Sequence, residues 1–169
     1  VVTIEEEINL ALYQSNPGLP RMFFEDRKKN IWIVTSGGLF MKPFGKDKIV
    51  HIDSSFGALT GITEDREGSI WVSSENSGVY ELTSADGIDY SKSEIRNYNE
   101  KSDNLISDNI QSIYADGSNR IWIGTKEGNI IVYDKSKKTF ADYTKSCGMF
   151  GEAILDIVVD NYNRIWIST

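Results

Sequence analysis

Cysteine and histidine are almost missing from this sequence, which holds one of each, Cys147 and His51, among 169 residues. A single thiol closes no disulfide within the chain, so the redox compartment stays open. One imidazole and no cysteine pair leave no basis for a metal site, and no cofactor is expected. His51 reads as a structural residue on an outer strand. Cys147, in KSCGMF, reads as an inert or surface thiol with no base beside it in sequence.

Positive charge is short as well. Lysine and arginine number 18 against 25 acidic residues, for a net charge of −7 and a pI near 4.8. Nucleic acid and anionic membrane surfaces both reward a basic footprint, so neither is an expected partner. No apolar run approaches the roughly 20 residues that cross a bilayer as a helix, and the opening VVTIEEEINL lacks the basic start of a secretory signal. A chain that begins at Val1 and stops at IWIST reads as a piece of a larger protein.

What the sequence does have is repetition. The four tryptophans stand in NIWIVT (Trp32), SIWVSS (Trp71), RIWIGT (Trp122) and RIWIST (Trp166), separated by 39, 51 and 44 residues. An aspartate lies six positions before each: Asp26, Asp65, Asp116 and Asp160. Apolar stretches precede the aspartates (MFFE, LTGITE, IQSIYA, ILDIVV), and GLFMK, GVYEL or NIIVY follows the first three tryptophans. KIVHI, EIRNY and TFADY close the units. Four short β-rich segments per period of about 40 to 50 residues is the signature of a β-propeller blade.

The fold class expected is therefore all-β, a β-propeller fragment of about four blades of four antiparallel strands, with the first and last incomplete. Residues 1–19 read as the end of a preceding blade and a linker. Residues 20–53, 57–98 and 105–143 read as blades, and 151–169 as the first half of another. VVTIEEE is a candidate last strand, Ile8, Leu10 and Leu12 alternate as in a strand, and SNPGLP reads as a loop.

Each aspartate opens the turn between strands one and two, where its carboxylate is expected to accept backbone N–H groups two or three residues on. Three positions before each tryptophan stand Lys29, Gly68, Asn119 and Asn163. Glycine and asparagine tolerate the left-handed backbone such a hairpin needs. Lys29 departs from the pattern, which suggests Asn30 for the strained position. The Ile-Trp-Ile strand lacks polar alternation, so both its faces should be buried, and Trp122→Ala should be among the most damaging single changes. The extra segment Thr83–Ser93 should be an exposed loop with a turn at Asp86-Gly87.

The full pattern resembles the two-component regulator propeller repeat. Asp116, Arg120 to Thr125, Gly128, Tyr133-Asp134, Phe140 and Tyr143 match it nearly throughout, and Asn104 to Ile110 is similar to its G-L-S-x-N-x-I entry, with Asn104 and Ile106 as departures. The resemblance covers nearly the whole chain. It implies the periplasmic sensor region of a hybrid two-component system histidine kinase, with the kinase outside this chain. It also implies an oligosaccharide or glycan breakdown product as ligand.

The aspartates also resemble the Asp-box of sialidase-type propellers, S-x-D-x-G-x-x-W, with a spacing longer by one. Shared hairpin physics follows from that, glycosidase chemistry does not. Recurring once per blade, the four carboxylates would lie far apart, so turn capping is favoured over metal binding.

Ligands of propellers usually sit at the face that carries the strand-two-to-three loops and the connections between blades. Sugars are held by planar polar side chains and aromatic surface, which selects Ser36, Phe56, Glu75, Asn76, Lys126, Glu127 and Phe150 as candidates. For any one of them an ordinary solvated loop residue is the blander reading. No catalytic residue is expected. A protein-interaction scaffold and a propeller lyase or glycosidase are the competing functions. Exposed sheet edges and blade faces should make the fragment associate with copies of itself.

Overall fold

Each repeat folds as one antiparallel sheet in a computed structural model, which describes residues 18–53, 55–84, 90–149, 151–162 and 164–169. The readings placed on VVTIEEE, on Ile8 to Leu12, on Asp86-Gly87, on Asn163 and on Phe150 lie outside the described residues.

The first sheet holds β1 (Pro20–Glu25), β2 (Ile31–Thr35), β3 (Gly38–Lys42) and β4 (Val50–Asp53). The second holds β5 (Leu59–Glu64), β6 (Ile70–Ser74), β7 (Val79–Thr83) and β8 (Glu94–Tyr98). In the third are β9 (Ile110–Ala115), β10 (Arg120–Thr125), β11 (Ile130–Asp134) and β12 (Thr139–Asp142). A two-stranded sheet of β13 (Asp156–Val159) and β14 (Ile165–Ser168) ends the chain. Strand order in every sheet follows the sequence, each strand pairing with the next. The protein is all-β, as the repeat predicts; among the described residues the exceptions are a 3₁₀ turn at Tyr90–Lys92 and the one-turn helix α1, Glu100–Asp103.

Blades pack through their faces. The first strands β1, β5, β9 and β13 lie next to one another from sheet to sheet, so they form the inner side and the fourth strands the outer rim. Between the first two blades Trp32, Val34 and Leu39 pack on Phe56, Leu59 and Val72. Trp71 and Val79 of the second blade meet Ile113, Ile121 and Ile123 of the third. Trp122 and Val132 of the third meet Ile154 and Ile157 of the last sheet. Each of the first three tryptophans thus heads the core it shares with the following sheet.

This arrangement explains why β2, β6 and β10 read as unbroken apolar runs: both faces are covered. Trp32 and Trp71 are fully buried, and Trp122 is 6% exposed. Trp166, with no sheet packed beyond it, is 56% exposed.

Candidate functional site

The repeated aspartate is a lock for its own hairpin. In all four units one carboxylate oxygen accepts backbone N–H groups two and four residues on: Lys28 and Asn30 from Asp26, Glu67 and Ser69 from Asp65. Ser118 and Arg120 donate to Asp116, and Tyr162 and Arg164 to Asp160, in the same way. The second donor comes from position four, where the sequence reading allowed two or three. The other oxygen accepts the indole N–H of the tryptophan six residues on, at 2.9, 2.8, 3.0 and 3.0 Å along the chain. Sequence spacing gave no sign of that bond.

Lys29 takes the left-handed backbone itself, with φ 69°, as Gly68 does at 87° and Asn119 at 64°. Asn30 is not the strained residue. It is buried, donates its amide to Asp26 and accepts the Phe44 N–H, so it carries the same lock toward strand three.

The following blade covers the first two locks from outside. Lys135, just past β11, places its ammonium 2.5 Å from Asp65, 2.9 Å from Glu67 and 3.0 Å from Glu81. Burial opposes its charge, but the three carboxylates prevail and raise its pKa above the usual lysine value. Tyr90 takes the corresponding place one blade earlier. Its ring stands edge-on to Trp32 with centroids 4.7 Å apart, and its hydroxyl donates to the Gly68 carbonyl at 3.0 Å. Burial, with the Asp26 and Glu64 charges nearby, pushes its phenol up to about 12. The Thr83–Ser93 segment, expected to be exposed, therefore sends one aromatic ring into the core between blades.

On the opposite face the loops between strands two and three come together with the connections between blades. Glu75 and Asn76 of the second blade and Lys126 of the third line one cleft of about 240 Å³, together with Asn109 and Gln111 at the start of β9. The three candidates are joined here by two residues that were not among those selected. Arg21 of β1 fixes the Glu75 carboxylate at 2.6 Å. Glu127 braces the cleft wall, accepting from Ser107 at 2.8 Å and from Asn109 at 3.3 Å. The side chains of Asn76, Gln111 and Lys126 have no hydrogen-bond or ionic partner among the described residues.

Other candidates fall elsewhere. Phe56 is fully buried, packed on Tyr80 with ring centroids 4.7 Å apart, so it presents no surface to a ligand. The connection carrying it tucks inward to fill the space between the first two blades. Ser36 is half-buried at the first blade's loop, where its hydroxyl accepts the Leu19 N–H at 2.9 Å. His51 lies exposed on β4 against the Phe40 ring. Cys147 is exposed, and partial desolvation raises its thiol above the usual value. Among the described residues no group of three or more His, Cys, Asp or Glu side chains is placed to hold a metal ion. Among them, too, no helix is long and apolar enough to cross a membrane.

The comparisons with known proteins agree with this architecture. Residues 104–127 match the family model of the two component regulator propeller. Asn104, where the family entry has glycine, takes the left-handed backbone with φ 56°. No curated protein matches the chain significantly. Among solved structures, the chain is similar to the extracellular domain assigned to a hybrid two component system of B. thetaiotaomicron, with TM-score 0.71 and 23% identity over 87% of this chain and 20% of that one. It is also similar to an extracellular domain assigned to a one component system of the same organism, with TM-score 0.69 and 18% identity over 88% of this chain and 21% of that one. An auxiliary nutrient binding protein of Bacteroides thetaiotaomicron superposes with TM-score 0.70 and 13% identity over 91% of this chain and 36% of that one. The chain spans about a fifth of the length of the first two. Residues 104–127 thus match the two component regulator propeller model, and the chain has the fold of these extracellular domains.

Proposed function

We propose that the chain is a ligand-sensing part of an extracytoplasmic module, that it sits in the periplasm, and that it relays binding to a histidine kinase outside this chain. The ligand class is an oligosaccharide or glycan breakdown product, held without turnover. One observation carries this reading: Asn76, Gln111 and Lys126 bring polar groups with no partner among the described residues to a single cleft, beside a Glu75 carboxylate already oriented by Arg21. Sugar hydroxyls need both donors and acceptors, and a preset cluster of them loses little entropy on binding. The cleft draws on two blades, so an occupant would tie their relative position to binding.

The test is calorimetric titration of the chain with defined oligosaccharides, with product analysis of the same samples. Binding without products, weakened in Glu75→Gln, Asn76→Ala and Lys126→Gln, is the expected result. Product formation would favour a lyase or glycosidase. Silence across the panel would remove the reading and favour an interaction scaffold.

The proposed partners include a second copy. Leu19 and Phe23 at one end and Val158, Tyr162 and Trp166 at the other are exposed apolar residues at the outward sides of the terminal sheets, which no other described sheet covers. Such faces associate unless covered. Sedimentation should show oligomers that grow with concentration, and a monomer at high concentration would exclude them.

A further inference from the structure

We propose that Gln111 sets the specificity of the inner cleft by reading two adjacent hydroxyl groups on one sugar ring. This rests on the cleft reading above and goes beyond it in naming the selecting residue and the group it selects.

The first strand of each four-stranded sheet carries a bulge at the same place. In β1 the partners of Pro20 and Met22 are the neighbours Thr35 and Val34, which leaves Arg21 as the extra residue. Thr60 is the extra residue of β5, and Gln111 that of β9. All three stand eleven positions before their tryptophan. A bulged residue has no cross-strand partner, and the bulge re-aims its side chain.

Two of the three use that freedom to fasten the next blade. Arg21 donates to the Leu59 carbonyl at 3.2 Å and Thr60 to the Ile110 carbonyl at 2.9 Å, in each case the residue just before the next bulge. Ile154 holds the same place relative to Trp166, so its carbonyl is the one that Gln111 should reach. Ser112 takes it instead, donating at 3.0 Å. In the place of Ser112 the first blade has Met22 and the second Gly61, neither with a hydroxyl to donate. The third blade has thus moved the fastening bond one residue along. Gln111 is left half-buried on the cleft wall, with no hydrogen-bond partner among the described residues.

The rest of the lining decides what such a side chain can read. Among the described residues it consists of Glu75, Asn76, Asn109, Gln111 and Lys126, so there is no aromatic ring for stacking and hydrogen bonds must do the selecting. At about 240 Å³ the cleft is smaller than most small-ligand sites, about 300–1,000 Å³, which suits one ring better than several. An ammonium only donates and a carboxylate only accepts, whereas a primary amide presents a donor and an acceptor side by side. That is the complement of two neighbouring hydroxyls, one accepting and one donating. Asn76 carries the same group on a loop, but Gln111 carries it on a paired strand, which holds it to a narrower geometry.

Proton–nitrogen correlation spectra of the chain, with the side-chain amides assigned, test this in titrations with D-glucose, D-galactose and D-mannose, whose adjacent hydroxyls differ in relative orientation. Tetrahydropyran serves as the ring without hydroxyls. At least one sugar should shift the Gln111 and Asn76 amides, and tetrahydropyran should shift neither. Gln111→Thr should weaken that sugar at least about tenfold and leave the unfolding midpoint unchanged, because Ser112 already holds the Ile154 carbonyl. Ser112→Ala should do the reverse, lowering the midpoint while the folded chain keeps its affinity. Wild-type affinity in Gln111→Thr, or a shift at Asn76 without one at Gln111, would overturn the assignment and leave the cleft standing. So would a midpoint loss in Gln111→Thr as large as in Ser112→Ala, or equal shifts with tetrahydropyran. No shift at either amide with any of the three sugars would remove the cleft reading, and this assignment with it.

Discussion

The Lys135 ammonium of the third blade meets the Asp65 carboxylate of the second at 2.5 Å, joining residues 70 positions apart at a nearly dry contact. Asp65 already binds two backbone amides and the Trp71 indole, so the lysine completes a carboxylate whose other bonds are local.

Removing Lys135 leaves Asp65 and Glu81 half-buried to buried with no cation. Lys135→Ala should lower stability by about 3 kcal/mol, the usual cost of breaking a buried pair from one side. Urea unfolding followed by tryptophan fluorescence measures it. Because lysine is raised in the folded state, the wild-type contribution is complete below the unfolded lysine value and is lost as pH rises through the folded one. The difference between variant and wild type should therefore shrink only in strong alkali.

The tryptophans should differ in weight although their sequences match. Trp71→Ala should cost about 4 kcal/mol, since it removes a fully buried ring and strands the Asp65 oxygen that accepts it. Trp122→Ala should come close behind. Trp166→Ala, at 56% exposure, should cost under about 1 kcal/mol. Equal destabilisation by all three would contradict the packing described.

Acid should loosen the hairpins. The Trp166 indole bond chiefly, helped by the Arg164 and Tyr162 contacts, holds Asp160 at about 2. At Asp116 burial works the other way, but the Trp122 indole, the Ser118 amide and Arg120 outweigh it, and its pKa is also lowered. A carboxylate depressed on folding stabilises the native state above its unfolded pKa, about 3.9, and the gain disappears as pH falls through the folded value. Stability should thus fall between about pH 4 and about pH 2, less steeply in Asp116→Asn. Carboxyl titration by NMR checks the midpoints.

Gly124 belongs to the IWIGT strand because the next sheet presses on it. A Cβ there would stand 2.4 Å from both the Ile154 Cγ2 and the Ser112 Oγ. Gly124→Val should cost about 2–3 kcal/mol by overpacking, even though the first blade carries Val34 at the corresponding position. A thermal unfolding series would show it.

The blades were legible because the period, the aspartate-to-tryptophan spacing and the uniform Ile-Trp-Ile strand all arise from a unit that repeats. Less was visible where two units meet. The Asp–Trp bond depends on which way an indole turns, and spacing alone carries no such direction. Phe56 reads as a ligand platform in the sequence because an aromatic in a connection looks the same whether it faces solvent or a core. Tyr90 sat in an insertion whose length says loop and whose ring says core. Glu75, Asn76 and Lys126 share a cleft because their loops share a face, which loop position alone suggests. Gln111 lies inside a strand, where only the pairing of neighbouring sheets shows that it lines the same cleft.

The Asp–Trp lock closes within seven residues, and at Asp26, Asp116 and Asp160 the carboxylate takes every hydrogen bond from its own hairpin. A unit built this way can be duplicated, lost or exchanged along an array without stranding its carboxylate. Contacts such as Lys135 with Asp65, by contrast, record which neighbour a blade has adapted to. Variation in blade number should therefore be cheap in such chains, and variation in blade order expensive.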